Sequence, residues 1–147
     1  MFLSNKNALA LLLDLNQNIE EYAEATVKNI IEEKNFDFLT YPPNNGLTDL
    51  EKAELNKLDN NQHLKNALRK VIADNSAGII FNLLNLIDGT GAPKHMYNEW
   101  TGVKLIDEEP NESEAEFLGT LHDNFFEAYW EWRRIRGDKS WTLDTEE

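Results

Sequence analysis

The chain has 147 residues, and its 27 acidic and 14 basic side chains give a formal net charge of −13. A surface this negative repels phosphate backbones and anionic lipids, so we expect neither direct nucleic-acid binding nor a membrane partner. The chain has no cysteine, which excludes disulfides, thiolate catalysis and cysteine-based zinc sites and fits a reducing, cytoplasmic location.

The N-terminal region predicts a long amphipathic helix from Ala8 to Lys34. The apolar run that opens it is too short for a signal peptide and ends at Asp14. Apolar positions recur at spacings of three and four, which is typical of a helix with one buried face. The same heptad-like spacing fits a helix that forms a coiled coil with a partner, but we favour a helix that belongs to a bundle within this chain. The predicted stripe is Ala8, Leu11, Leu15, Ile19, Tyr22, Thr26 and Ile30.

The middle of the chain predicts a loop and two further helices. Two prolines make residues 36–46 a connection, and Thr48 with Glu51 forms a capping box for a short helix. A third helix starts near Gln62 and either runs unbroken to Ile87 or breaks at residues 74–76. Its second half is apolar nearly all round, which predicts a central position. A polar stripe on it predicts a close helix contact or, alternatively, a pocket lining: Asn75, Gly78, Asn82 and Asn85.

The last third of the chain predicts the end of the third helix, an irregular segment and a final helix. Residues 88–93 contain two glycines and Pro93, which end the third helix. Residues 94–106 predict irregular chain or a small β-hairpin, and residues 107–116, with six acids, predict a solvated loop. Ser113 and Glu116 form a second capping box, and Gly137 ends the last helix. Its predicted inner face is Phe117, Leu121, Phe125, Ala128 and Trp132.

These elements predict a mainly all-α fold, a four-to-five-helix bundle with the irregular or hairpin insertion at 94–106. We expect one helical domain over residues 1–137 and a loosely attached C-terminal tail over residues 138–147. No internal repeat or low-complexity segment interrupts this organisation.

Motifs for chemistry are scarce. None of the three histidines stands in a spacing such as H-E-x-x-H, so we expect no metal site and no cofactor. His122 lies beside the apolar stripe of the last helix, which favours a half-buried structural role. A small enzyme whose site assembles from distant residues is the alternative, with Asp88, His95, His122 and Asp123 as its candidates.

The sequence therefore predicts a binding module rather than a catalyst. In size, acidity and helical content the chain resembles small acidic immunity proteins of bacterial toxin systems, and this resemblance implies a cytoplasmic protein that binds and neutralises or regulates another protein. The partner is expected to be basic. A homo-oligomer joined through the first or last helix is a third interpretation. The predicted partner-binding residues are Tyr97, Trp100, Glu108, Glu109, Glu112, Glu127, Trp130 and Glu131.

Overall fold

The computed structural model describes residues 1–43 and 46–145. The described residues form four α-helices: α1 (Asn5–Val27), α2 (Asp49–Asn56), α3 (Gln62–Ile87) and α4 (Leu121–Ile135). Within the described residues, the one strand-type pairing is an isolated antiparallel bridge between Ser4 and Glu116. The mainly helical prediction is therefore confirmed. The β-hairpin is not observed, because residues 94–106 hold a short 3-10 helix (Tyr97–Glu99) and otherwise irregular chain.

Helix α1 continues into a π-helix (Lys28–Glu33) and ends at Lys34, whose φ of 52° leaves the helical region. The predicted end is confirmed, but the predicted buried face is partly wrong, because Tyr22 is 70% exposed. The core uses a neighbouring stripe that contains the polar residue Asn16. Its side-chain amide donates to the Leu12 and Phe125 carbonyls, which allows burial. The buried apolar residues of this stripe are Ala8, Leu12, Ile19, Ala23, Val27 and Ile31.

Helices α2 and α3 begin and end close to their predicted bounds. The capping box of α2 is present, since the Glu51 amide donates to Thr48 Oγ1 and the Thr48 amide donates to Glu51 Oε2. Helix α3 runs unbroken through residues 74–76. Its expected central position is wrong, because Ile79 is 66% exposed and Leu83 is 52% exposed. Most of the polar stripe expected at a helix contact also faces solvent: Asn75, Gly78 and Asn82 are exposed and Asn85 is half-buried.

Helix α4 starts later than the second capping box predicts. The Ser113 amide and hydroxyl donate to Asn111 Oδ1, which makes a turn instead of a cap. The Phe117 amide donates to the Leu3 carbonyl, so this stretch pairs with extended chain and cannot be helical. Phe117 therefore lies before the helix. Gly137 has the expected positive φ of 75° after the helix. The inner-face prediction is confirmed for three buried residues: Leu121, Phe125 and Ala128.

The described chain groups into two compact units, one made of residues 1–19 and 75–139 and the other of residues 20–74 with the chain from 140 onward. The first unit has a core that includes Leu12, Leu84, Leu121 and Phe125. None of the helices in the described ranges is both long and apolar enough to cross a membrane.

The second unit contains Trp141, which belongs to the segment predicted to be loosely attached. Trp141 is buried, its Nε1 donates to Glu24 Oε1 at 3.1 Å, and the Arg69 guanidinium lies 4.4 Å from its ring centre. The expectation of loose attachment is therefore wrong at this residue. The reason is long-range: the ring meets a cation and an acceptor more than seventy residues earlier in the chain.

Candidate partner-binding surface

The first group of predicted binding residues lies on residues 97–112, which we call the acidic segment. It is attached to the fold at Asp107. The Asp107 carboxylate accepts a hydrogen bond from the Ser4 amide at 3.0 Å, and the Asp107 amide donates to the Phe2 carbonyl at 3.0 Å. The Ser4 amide holds the pKa of the Asp107 carboxyl below its usual value, since it stabilises the ionised form. Asp107 is thus a buried anchor, although the sequence placed it in a solvated loop.

Upstream of this anchor, the acidic segment presents apolar side chains to solvent. Tyr97 is 67% exposed and Trp100 is half-buried, and the Trp100 amide donates to the Tyr97 carbonyl across the 3-10 helix. Val103 and Ile106 are 47% and 42% exposed. Within the described part of the chain, the backbone of residues 101–106 makes no hydrogen bond to the protein. This stretch therefore offers both apolar contacts and free backbone donors and acceptors.

Downstream of the anchor, the acidic segment presents charge. Glu108, Glu109 and Glu112 are exposed, and no cation of the described residues pairs with any of them. Their fields are therefore neutralised only by solvent and salt. At physiological ionic strength the Debye screening length is about 8 Å, so these carboxylates attract cations within roughly that distance.

The second group of predicted residues lies on α4. Trp130 is partly exposed, and its ring meets Tyr129 edge to face at 5.1 Å between centroids. Glu127 lines a groove of about 310 Å³ together with Leu9 and Leu12 of α1. Glu131 lines the same groove, but its carboxylate is paired with Arg134.

Glu131 forms a bidentate ion pair with Arg134, one arm of which joins Arg134 Nε to Glu131 Oε2 at 2.9 Å. This pairing lowers the pKa of Glu131 and raises that of Arg134. Residues three apart on a helix are neighbours, so this solvent-facing pair follows from the local sequence. Glu131 thus has less free charge to offer than Glu127. No hydrogen bond, ion pair or ring contact of the described residues joins the α4 group to the acidic segment.

The structure also brings together three of the four residues considered for catalysis. Asp88 follows α3 and faces the start of α4, where its Oδ1 accepts from the Leu121 amide at 3.0 Å and its Oδ2 from the His122 amide at 2.8 Å. His122 Nδ1 lies 2.7 Å from Asp88 Oδ2, and His122 Nε2 lies 3.4 Å from Asp123 Oδ1. The Phe81 ring packs edge to face on the imidazole.

This geometry gives Asp88 and His122 a structural role. A carboxylate that accepts two amides at the first turn of a helix is an N-cap, here supplied from more than thirty residues earlier in the chain. The other ring nitrogen faces the Asp123 carboxylate, and His95 is exposed elsewhere. Over the described ranges, no three side chains of metal-ligand type converge on one point. Sequence reasoning missed this cap because a helix is usually capped by its own preceding residue.

The comparisons with known proteins find no family model, no curated protein and no solved structure that matches this chain.

Proposed function

We propose that the protein is an acidic binding module that docks on a basic protein through the acidic segment and thereby neutralises or regulates it. One observation carries the proposal: exposed apolar side chains and unpaired carboxylates lie on the same segment, on either side of the buried anchor Asp107. A binding surface needs apolar area for affinity and charge for orientation. The acidic segment supplies both within sixteen residues.

Association begins with long-range attraction. Glu108, Glu109 and Glu112 draw the basic face of the partner towards the segment, which raises the association rate at low salt. Tyr97 and Trp100 then bury aromatic area against the partner, and aromatic anchors of this kind carry most of the free energy of many interfaces. The anchor at Asp107 reduces the conformational entropy lost on binding.

The α4 group takes a secondary part in this proposal. Trp130 and Glu127 are accessible, whereas Glu131 already pairs with Arg134. We expect substitutions at Glu131 to alter binding less than substitutions in the acidic segment, because its charge is compensated before the partner arrives.

The module would neutralise its partner by occupying the partner's basic face. A basic protein face commonly serves to hold an anionic target, and a bound acidic module excludes that target by covering the same charges. This mode of action is the one expected of an immunity-type inhibitor in the bacterial cytoplasm.

The test is affinity capture from the source organism's lysate with three baits, followed by quantitative mass spectrometry. The baits are the natural chain, the variant Glu108→Lys/Glu109→Lys/Glu112→Lys, and a control Asp37→Lys/Asp59→Lys/Asp74→Lys. The control reverses three exposed acids of the second unit and changes the net charge equally. A basic protein retained by the natural chain and the control, lost from the first variant and released by salt supports the proposal. Equal retention by all three baits, or no specific capture, contradicts it.

A further inference from the structure

The residues after α4 place one buried side chain in a stretch without regular structure. Residues 138–145 form neither helix nor strand, and Trp141 is buried while the other side chains of this stretch are half-buried or exposed. The chain from residue 140 onward groups with the second unit, whereas residues 75–139 group with the first. We call residues 140–145 the strap. The strap therefore contributes a single side chain to the buried part of the second unit.

Trp141 lies between an acceptor and a cation, which together we call the indole slot: Glu24 of α1 and Arg69 of α3. Its Nε1 donates to Glu24 Oε1 at 3.1 Å, and the Arg69 guanidinium lies 4.4 Å from its ring centre. Among aromatic side chains, tryptophan attracts a cation over its face most strongly. A phenylalanine ring also has no donor for the carboxylate. The two contacts therefore suit an indole better than a phenyl ring.

Arg69 is a buried cation whose polar contacts are incomplete. It is only 7% exposed, its Nη1 donates to Asn66 Oδ1 at 3.0 Å, and its Nε is buried without a hydrogen-bond partner among the described residues. No ion pair between side chains in the described ranges includes it. Burial of a cation without an ion pair is costly. The aromatic ring at its face therefore supplies much of the compensation that the protein offers this charge.

We propose that the indole slot is a binding site for a tryptophan side chain, and that Trp141 is its occupant within the chain. When the strap opens, the slot accepts a tryptophan presented by an irregular segment of another polypeptide. The strap itself defines this class of ligand, since it is such a segment and its tryptophan fills the slot. The site lies outside the acidic segment, so it adds a second binding activity that the C-terminal residues control.

The strap opens more readily than the helices that form the slot. A segment with one buried side chain and no helix has a lower free energy of opening than packed helices. Helices α1 and α3 of the second unit, by contrast, bury Ala23, Val27 and Ala73. Glu24 and Arg69 lie on these helices, so the slot persists when the strap leaves.

Hydrogen exchange on the natural chain tests this opening without any substitution. NMR follows the Trp141 Nε1 proton and the backbone amides of α3. We expect the protection factor of the indole proton to be at least about tenfold lower than that of the most protected amides of α3, because the strap opens while the helix stays folded. Equal protection would mean that Trp141 is released only by unfolding of the whole unit, and it would overturn the strap.

Peptide binding to the full-length chain tests the slot. The probe is a dye-labelled peptide of residues 138–145, followed by fluorescence anisotropy with natural chain, Trp141→Ala and the control Trp130→Ala. The control removes a partly exposed tryptophan of α4 and leaves the slot filled. We expect Trp141→Ala to bind the peptide at least about tenfold more tightly than the other two chains, in which the tethered strap competes at high effective concentration. Equal affinity for all three chains, or no binding to a Trp141→Ala chain that circular dichroism shows to be folded, contradicts the proposal.

Peptide analogues test the chemistry of recognition on the same Trp141→Ala chain. One peptide carries 1-methyltryptophan at position 141, which keeps the ring and removes the donor to Glu24. We expect about tenfold weaker binding, the usual effect of losing a hydrogen bond to a charged group. A peptide with Trp141→Phe loses the donor and part of the cation contact, so it should bind more weakly still. Equal affinity of the three peptides would refute recognition of the indole.

Discussion

The cap that Asp88 supplies to α4 yields the sharpest stability prediction. Replacing Asp88 with alanine leaves the Leu121 and His122 amides and the His122 ring without their acceptor. Loss of a strong N-cap costs about 1–2 kcal/mol, and loss of the part-buried hydrogen bond to the ring costs about 1 kcal/mol more. We therefore expect Asp88→Ala to lower the free energy of unfolding by about 2–3 kcal/mol. For a chain of this length that corresponds to a Tm lower by about 5–10 °C.

The control is Thr120→Ala, because Thr120 occupies the N-cap position by sequence yet makes no capping bond to the backbone of α4. Its hydroxyl instead bonds the exposed Asp123 carboxylate. We expect this variant to lose less than about 0.5 kcal/mol, the usual range for a surface substitution. Urea titration at pH 7, followed by circular dichroism, measures both variants. A Thr120→Ala loss as large as that of Asp88→Ala would refute the remote cap.

Three further predictions concern the anchors and the core. The pKa of Asp107 is lowered in the folded protein, so its charge stabilises the fold at pH values above the unfolded pKa of about 3.9. This stabilisation is lost as the pH falls through the lower pKa of the folded state. Asp107→Asn should thus be less stable than the natural chain near neutrality, and thermal scans from pH 7 to pH 2 should show the difference vanish in acid. Trp141→Ala removes a buried ring and its contact with the Arg69 guanidinium, so we expect a loss of about 2–4 kcal/mol, whereas a freely attached tail would show none. Phe125→Ala empties the centre of the first unit and should cost about 3–5 kcal/mol in urea titration; a loss under 1 kcal/mol would contradict its place in the core.

Features that depend on neighbours in sequence were predictable. The capping box at Thr48 and the glycine that ends α4 are local patterns, and the structure retains both. The chain also revealed the ion pair of Glu131 with Arg134, since residues three apart on a helix are adjacent.

Features that depend on distant residues were not predictable from one sequence. The buried face of α1 was misjudged because Asn16 is polar, and one of the two carbonyls that satisfy its amide, that of Phe125, lies more than one hundred residues away in the chain. The late start of α4 follows from the pairing of Phe117 with Leu3, which overrides a local cap. For the candidate surface, the exposed acids were identified but the anchor among them was not. Asp107 is held by the Ser4 amide and the Phe2 carbonyl, both more than one hundred residues earlier in the chain.

Association kinetics with the captured partner at several ionic strengths measure whether the acidic segment steers a basic partner onto the protein. For the natural chain we expect an association rate constant that falls steeply as salt rises. The variant Glu108→Lys/Glu109→Lys/Glu112→Lys should associate about tenfold or more slowly at low salt and respond weakly to salt, while Asp37→Lys/Asp59→Lys/Asp74→Lys should behave like the natural chain. Rate constants that coincide for all three proteins across the salt series would exclude steering by the acidic segment.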